Sequence, residues 1–192
     1  MNKAVFLDRD GTINTEVDYL STVEGFVFLP RALESLVRLA KTKYKIIIAT
    51  NQSGIGRGYF SEERLKEINV KMCCDLEKAG GRIDAIYYCP HRPDENCSCR
   101  KPKTGMIEDA KKDFDIDLAA SYVVGDATRD VQLAINAGCT SILVGTGKAG
   151  KDGEYPACPE YRVKDLSGAV DLIIGSKTNI NLRKEHGTGK RA

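Results

Sequence analysis

Residues 4–12 read Ala-Val-Phe-Leu-Asp-Arg-Asp-Gly-Thr, a short apolar run followed by two aspartates one residue apart. The run has the length of a buried strand, and Gly11 after it allows a sharp turn. Side chains at alternate positions of an extended segment point the same way, so Asp8 and Asp10 are expected to face one point at the carboxyl end of this strand. Because acidic residues are also common in solvated turns, this pattern alone leaves both interpretations open.

Two converging carboxylates repel each other unless a cation lies between them or one of them is protonated. Both arrangements serve phosphoryl transfer. A hard cation such as Mg²⁺ takes oxygen ligands, and a second carboxyl group can carry a proton for a leaving oxygen. The motif therefore indicates chemistry on a phosphate ester if other parts of the chain supply groups that bind phosphate.

Strand and helix signals alternate along the rest of the chain. Strands are predicted at 4–7, 45–49, 83–89, 121–125 and 140–145, and helices are predicted to begin at Pro30, at the caps Ser61 and Thr128, near Met106 and near Ser167. Continuous apolar strands that alternate with helices indicate a mostly parallel sheet covered on both faces. The predicted fold is thus α/β, a Rossmann-like three-layer sandwich.

The chain of 192 residues has room for one well-buried α/β domain, which we assign to residues 1–175. Its net charge of +2 is unevenly distributed, because residues 176–192 hold five basic residues and one acidic residue, which leaves residues 1–175 with a net charge of −2. Such a body lacks the basic excess of nucleic-acid-binding proteins. The basic tail 176–192 has few apolar residues and is expected to be disordered.

No stretch approaches the roughly 18–20 consecutive apolar residues of a membrane span. Asp8 also interrupts the apolar run near the N-terminus that a signal peptide would need, so a cytoplasmic protein is expected. Seven cysteines in such a protein favour a metal site or simple packing over disulfides. We expect a monomer, since no apolar stripe indicates obligate association.

Polar residues follow three of the predicted strands. Asp8 follows the first strand, residues 50–53 follow the second, and Asp126 follows the fourth, with Asp130 one turn into the next helix. A loop before the third helix adds Lys101. Ligands of parallel sheets bind beyond the carboxyl ends of the strands. Hydroxyl, amide and lysine donors there can hold phosphoryl oxygens, and a third carboxylate completes a Mg²⁺ site.

In this order the motifs resemble those of the haloacid dehalogenase-like phosphatase superfamily: Asp8-Arg9-Asp10-Gly11-Thr12, Thr50, Lys101, and Gly125-Asp126 with Asp130. The resemblance implies that Asp8 is a nucleophile that forms a phosphoaspartate, and that Asp10 is the general acid and then the general base. It implies that Thr50 and Lys101 hold the phosphoryl group. It also implies a Mg²⁺ site formed by Asp8, Asp126 and the backbone carbonyl of Asp10.

A separate cysteine–histidine motif, Cys89-Pro90-His91 followed by Cys97-Ser98-Cys99, places four soft or borderline ligands within eleven residues. Three thiolates and one imidazole are a closed ligand set for structural Zn²⁺. A disulfide and a chance cluster are the alternatives, and a cytosolic location argues against the disulfide. Because Arg100 and Lys101 follow directly, we expect Zn²⁺ to hold the loop that delivers both.

About 35 residues separate Asp10 from the second strand, too few for an inserted cap domain of roughly 100 residues, so short loops must provide specificity. The two motifs together resemble the zinc-bearing members of the superfamily, which implies a small phosphorylated sugar as substrate, specifically removal of the 7-phosphate of a heptose 1,7-bisphosphate. The family pattern, together with the hydrogen-bonding side chains of these loops, assigns substrate binding to Glu16, Asp18, Tyr19, Asn51, Gln52, Ser53 and Arg100.

Three points stay open at this stage. Ala127 stands where such enzymes tend to carry a lysine, which weakens the assignment of the exact substrate. Arg57 is either a contact for a second phosphate or a solvated loop charge. Histidinol phosphate is an alternative substrate, and a non-catalytic, metal-stabilised binding protein is the alternative from a different class.

Overall fold

The computed structural model describes residues 1–175, and the tail predicted for 176–192 lies outside the described residues. Six strands form one parallel sheet: β1 (Ala4–Leu7), β2 (Lys45–Asn51), β3 (Ala85–Cys89), β4 (Tyr122–Gly125), β5 (Thr140–Val144) and β6 (Tyr161–Val163). Their spatial order is β3-β2-β1-β4-β5-β6. The α/β fold predicted from the sequence is confirmed.

Five α-helices cover the sheet: α1 (Ala32–Ala40), α2 (Glu62–Lys78), α3 (Gly105–Phe114), α4 (Thr128–Ala137) and α5 (Leu166–Ile173). Successive side chains of a strand point to opposite faces. Val5 and Leu7 therefore pack with α1, α2 and α5, whereas Ala4 and Phe6 pack with α3 and α4. This alternation produces the three layers.

The order of the strands reverses beside β1, which pairs with β2 on one side and with β4 on the other. Such a switch point leaves a crevice beyond the carboxyl ends of the central strands, where α/β proteins bind ligands. The polar residues that follow β1, β2 and β4 therefore meet at one place.

The connection between β1 and α1, residues 8–31, contains no helix or regular strand. Its apolar residues Ile13, Leu20 and Phe26 are buried against the body. The structure thus has no cap domain at this position, as predicted. No helix within residues 1–175 has the length and hydropathy needed to cross a membrane.

Several local predictions were wrong. The short strand β6 at the edge of the sheet was not predicted; it has only three residues, none of them buried. Helix α1 begins at Ala32 rather than at Pro30, because Arg31 adopts a left-handed conformation with φ of 63°. Thr128 does not cap α4: Ala127 holds that position, and the Thr128 hydroxyl binds the distant carboxylate of Asp152.

Candidate active site

Lys101 lies buried beneath the carboxyl end of β1 and joins two carboxylates. Its Nζ is 3.0 Å from Oδ1 of Asp8 and 2.7 Å from Oδ1 of Asp130. Burial disfavours the charged amine, but Asp130 and Asp8 outweigh this and raise the pKa of Lys101. The lysine is therefore a fixed cation, and it orients Asp8 together with the Arg9 backbone N–H, which donates to Oδ1 of Asp8 at 2.7 Å.

Three carboxylates converge beside this lysine. One oxygen from each of Asp8, Asp126 and Asp130 lies within 4.8 Å of the other two, and all three residues are buried. Burial, and then the charges of Asp8 and Asp130, raise the pKa of Asp126 to about 8. A buried cluster of this kind is electrostatically unfavourable unless it takes up protons or a cation, and oxygen ligands suit a hard cation such as Mg²⁺.

Two glycines crowd the Asp126 carboxylate. Gly11 and Gly147 both adopt positive φ, and a Cβ atom at either position would collide with Oδ2 of Asp126. The Lys148 backbone N–H donates to the same oxygen at 2.6 Å. The glycine of the first motif thus serves two purposes, the turn after β1 and the close approach of that turn to Asp126.

The raised pKa of Asp126 predicts how pH and metal affect stability. In metal-free protein the folded state binds this proton up to a pH of about 8, whereas an unfolded aspartate releases it near 3.9, so stability should fall as pH rises through that window. A divalent cation binds the ionised form. Thermal melts with EDTA or Mg²⁺ should therefore show a larger Mg²⁺-induced rise in Tm at about pH 8.5 than at about pH 6.

Asp126→Asn tests the assignment to this residue, because the amide does not titrate and is a weaker ligand for Mg²⁺, so the Mg²⁺-induced rise in Tm should be small at both pH values. An equal Mg²⁺-induced rise in Tm at both pH values in the unaltered protein would contradict the prediction.

The Asp10 carboxylate is held beside this cluster by three side chains. Oδ2 accepts from Nη2 of Arg9 and from Nε2 of Gln52, both at 2.9 Å, and Oδ1 accepts from Nδ2 of Asn14 at 2.9 Å. The Arg9 guanidinium is fully buried and also donates to Asn69 on α2. Sequence reasoning assigned no role to Arg9 or Asn14, although both lie within or next to the first motif.

The amide side chains at the carboxyl end of β2 position other residues of the site. Gln52 donates to Thr50 Oγ1 at 3.0 Å in addition to Asp10. The Asn51 side chain accepts from the Lys101 N–H at 3.0 Å and donates to the Lys101 carbonyl at 3.3 Å. Asn51 therefore attaches the loop of Lys101 to the end of β2, which explains how two segments distant in sequence form one site.

A pocket opens above Asp8, Asp10 and Thr50. All seven residues predicted to bind substrate line it, namely Glu16, Asp18, Tyr19, Asn51, Gln52, Ser53 and Arg100. Burial, and then the charges of Asp10 and Asp8, raise the pKa of Glu16. Arg57, Arg129 and Lys148 also line the pocket. Sequence reasoning missed the last two, although Arg129 lies between the two aspartates of the fourth motif.

The side chains of the cysteine–histidine motif form a compact cluster at the end of β3. Cys89 Sγ lies 3.5 Å from Cys97 Sγ, and His91 Nδ1 lies 3.3 Å from Cys99 Sγ and 3.6 Å from Cys89 Sγ. Tetrahedral coordination with Zn–S bonds of about 2.3 Å places ligand atoms roughly 3.4–3.8 Å apart. The four atoms therefore fit one metal ion, and all seven cysteines are free thiols.

Comparisons with known proteins agree with this geometry. A family model described as HAD-hydrolase-like matches residues 98–169. The D-glycero-beta-D-manno-heptose-1,7-bisphosphate 7-phosphatase of Bordetella bronchiseptica is 42% identical over 175 residues, which are 90% of this chain and 98% of that protein. The Haemophilus influenzae protein of the same name is 42% identical over 179 residues, 90% of this chain and 95% of its own.

Solved structures show the same relationship. The crystal structure of D,D-heptose 1,7-bisphosphate phosphatase from B. bronchiseptica, in complex with magnesium and phosphate, superposes with a TM-score of 0.83 at 37% identity and covers 90% of this chain and 98% of that one. The D,D-heptose 1,7-bisphosphate phosphatase from Burkholderia thailandensis has a TM-score of 0.69 at 36% identity, with 92% and 100% covered.

Proposed function

This chain belongs to the haloacid dehalogenase-like phosphatases, and we propose that it removes the 7-phosphate of D-glycero-D-manno-heptose 1,7-bisphosphate. The observation that carries the chemistry is the convergence of Asp8, Lys101 and Asp126 at the switch point of the sheet. The proposed substrate is supported by the names of relatives that are about 40% identical over nearly the whole described domain.

In the first step an oxygen of Asp8 forms a bond to phosphorus while the bond from phosphorus to the sugar oxygen breaks. Lys101 and Thr50 hold the phosphoryl oxygens, and Asp10 transfers its proton to the leaving alkoxide, which is a poor leaving group without it. In the second step a water molecule attacks the phosphoaspartate, Asp10 takes the proton of this water, and Asp8 is regenerated with release of inorganic phosphate.

The surrounding side chains position these groups. Arg9, Gln52 and Asn14 direct the Asp10 carboxylate by donating hydrogen bonds to both of its oxygens. We assign Asp130 to orienting Lys101, which it contacts at 2.7 Å. Fixed donors and charges of this kind stabilise the transition state without reorganisation during the reaction.

Mg²⁺ would be held by Asp8, Asp126 and the backbone carbonyl of Asp10, where it supplies positive charge next to the transferring phosphoryl group. Zn²⁺ would be held by Cys89, His91, Cys97 and Cys99 in a closed structural site. The hydrophobic surroundings of Cys89, formed by Ala49 and Met106, connect this zinc site to the end of β2.

The sugar would lie in the open pocket, in contact with short loops. Glu16, Asp18 and Tyr19 come from the connection after β1. Arg100 comes from the zinc loop, residues 89–101, which carries the four proposed Zn²⁺ ligands. Their carboxylate, hydroxyl and guanidinium groups suit the hydroxyls and the phosphates of a phosphorylated sugar.

A kinetic comparison tests the proposed substrate. The kcat/KM for heptose 1,7-bisphosphate, measured for both anomers, is expected to exceed that for histidinol phosphate by about 100-fold or more, because pocket groups left unpaired by the wrong substrate are costly. Preparing Asp8→Asn in parallel controls for contaminating phosphatases. The reverse preference would favour the histidinol-phosphate alternative, and no turnover of any phosphomonoester with Mg²⁺ would favour a binding protein.

The sequence-based expectations of a monomer in the cytoplasm, without a nucleic-acid or membrane partner, remain predictions. Gel filtration with light scattering would test the first of them directly.

A further inference from the structure

Six cationic side chains lie in or next to the pocket, and two of them are engaged with the catalytic carboxylates. Lys101 contacts Asp8 and Asp130, and Arg9 contacts Asp10. The remaining cations line the pocket itself: Arg57, Arg100, Arg129 and Lys148. A bisphosphate carries a second phosphate that takes no part in the reaction, and we expect at least one of these four cations to neutralise its negative charge.

Arg129 is the pocket cation that belongs to the motif around Asp126 and Asp130. It lies in the first turn of α4, between Asp126 and Asp130, and only 15% of its side chain is exposed. The neighbouring position 127 is a fully buried alanine and offers no charge. Arg129 is therefore the cation that the fourth motif itself directs into the pocket.

The guanidinium of Arg129 is incompletely used. Its hydrogen bonds to described residues all leave from Nη1, which lies 3.2 Å and 3.4 Å from the two carboxylate oxygens of Glu154. Nε and Nη2 are thus available for a second acceptor. A planar guanidinium binds phosphate through two parallel N–H donors, a geometry that a lysine does not offer.

Glu154 holds Arg129 from a well-anchored loop between β5 and β6. Asp152 of the same loop accepts from the Thr128 N–H at 2.9 Å, which ties the loop to the start of α4. Glu154 also lines an adjoining cavity, which shares Pro93 and Arg100 with the active-site pocket. Arg129 lines the active-site pocket and Glu154 lines the adjoining cavity, so the pair lies at the boundary between the two.

The other pocket cations have different surroundings. Arg57 is exposed and its guanidinium lies 6.0 Å from the centre of the Tyr19 ring. Arg100 donates to the His91 carbonyl of the zinc loop. Lys148 contributes its backbone N–H to Asp126, and its side chain faces the negative charge of Glu16.

We propose that Arg129 binds the second, non-reacting phosphate of the substrate, with Glu154 as the residue that positions its guanidinium. This inference rests on the proposed function, since only a substrate with two anionic groups needs such a contact. In this arrangement Arg129 supplies the positive charge that Ala127 does not provide.

The test compares two substrates in Arg129→Gln. The kcat/KM for heptose 1,7-bisphosphate should fall about 10- to 100-fold, mainly through KM, because a charge-assisted hydrogen bond to the second phosphate is lost. The kcat/KM for heptose 7-phosphate, which lacks that phosphate, should change less than about threefold. Arg129→Lys should recover part of the loss, since it restores the charge without the planar fork.

Arg64→Gln is the matched control. Arg64 is an exposed arginine on α2 that pairs with Glu67 at 2.7 Å and is not among the residues that line the pocket, so the substitution removes the same charge and one ion pair outside it. Neither substrate should respond to it.

Two results would overturn the inference and leave the proposed function intact: an equal loss on both substrates in Arg129→Gln, which places Arg129 on the reacting phosphate, or no loss on either. If the unaltered protein hydrolyses neither heptose phosphate, the proposed function is wrong, and the inference is wrong with it.

Discussion

Asp8→Asn is expected to abolish turnover, with a loss on the order of 10⁴-fold or more in kcat. An amide is not a nucleophile towards phosphorus, and it is a weaker ligand for a divalent cation. The fold should persist, because Asp8 is one of three buried carboxylates within 4.8 Å of one another and replacing it reduces their mutual repulsion. The measurements are single-turnover kinetics, and thermal melts in EDTA that should show no fall in Tm.

Asp109→Asn is a suitable control for this experiment. Asp109 lies on the exposed side of α3, 3.9 Å from Lys112, so the substitution changes the charge of the chain by the same amount without touching the site. It should hydrolyse substrate at the rate of the unaltered protein. A folded Asp8→Asn protein with activity within about tenfold of the unaltered enzyme would exclude Asp8 as the nucleophile.

Cys97→Ser is expected to have the largest effect on stability. Serine is a poor ligand for Zn²⁺, and the binding free energy of a closed thiolate site is in part folding free energy. Elemental analysis should find about one zinc per chain in the unaltered protein purified without chelator, and well below one in the variant. The Tm should fall by about 10 °C or more.

Activity should fall as well, because Arg100 and Lys101 follow Cys99 directly and lose the support of the loop. Mild EDTA should remove Mg²⁺ but not Zn²⁺ from the unaltered enzyme, so adding Mg²⁺ alone should restore its activity.

Cys74→Ser separates the metal site from the general effect of replacing a thiol. Cys74 is exposed on α2 and belongs to no cluster of metal-binding side chains among residues 1–175. This variant should keep its zinc, its Tm and its activity. Full stability and activity in Cys97→Ser, or no zinc in the unaltered protein, would refute a structural zinc site.

The secondary structure was largely accessible from the sequence because its signals are local. The apolar run at 4–7, the cap at Ser61 and the glycine that ends α4 each act over a few residues, and the structure places the corresponding elements close to their predicted bounds. Strand β6 was missed because it has only three residues and none of them is buried, so it carries no periodic apolar signal.

The capping error at Thr128 has a different origin. A threonine at the start of a helix is a good cap by local criteria, but here its hydroxyl binds Asp152, which lies in a loop that follows β5. The partner is distant in the chain, so the competition between the two hydrogen bonds was invisible in the local sequence. The same loop supplies Lys148, which was missed for the same reason, since no local signal connects this loop to the pocket.

The sequence by itself determined the chemistry that the chain can carry: two aspartates at the end of a buried strand, a third aspartate at a later strand end, a lysine in a loop, and four metal ligands within eleven residues. Only the tertiary structure decided which of these groups touch. It pairs Lys101 with both Asp8 and Asp130, attaches the lysine loop to β2 through Asn51, and directs Arg129 into the pocket. The physical reason is range, because strand and cap signals act between neighbours, whereas these contacts depend on how distant loops pack at the switch point of the sheet.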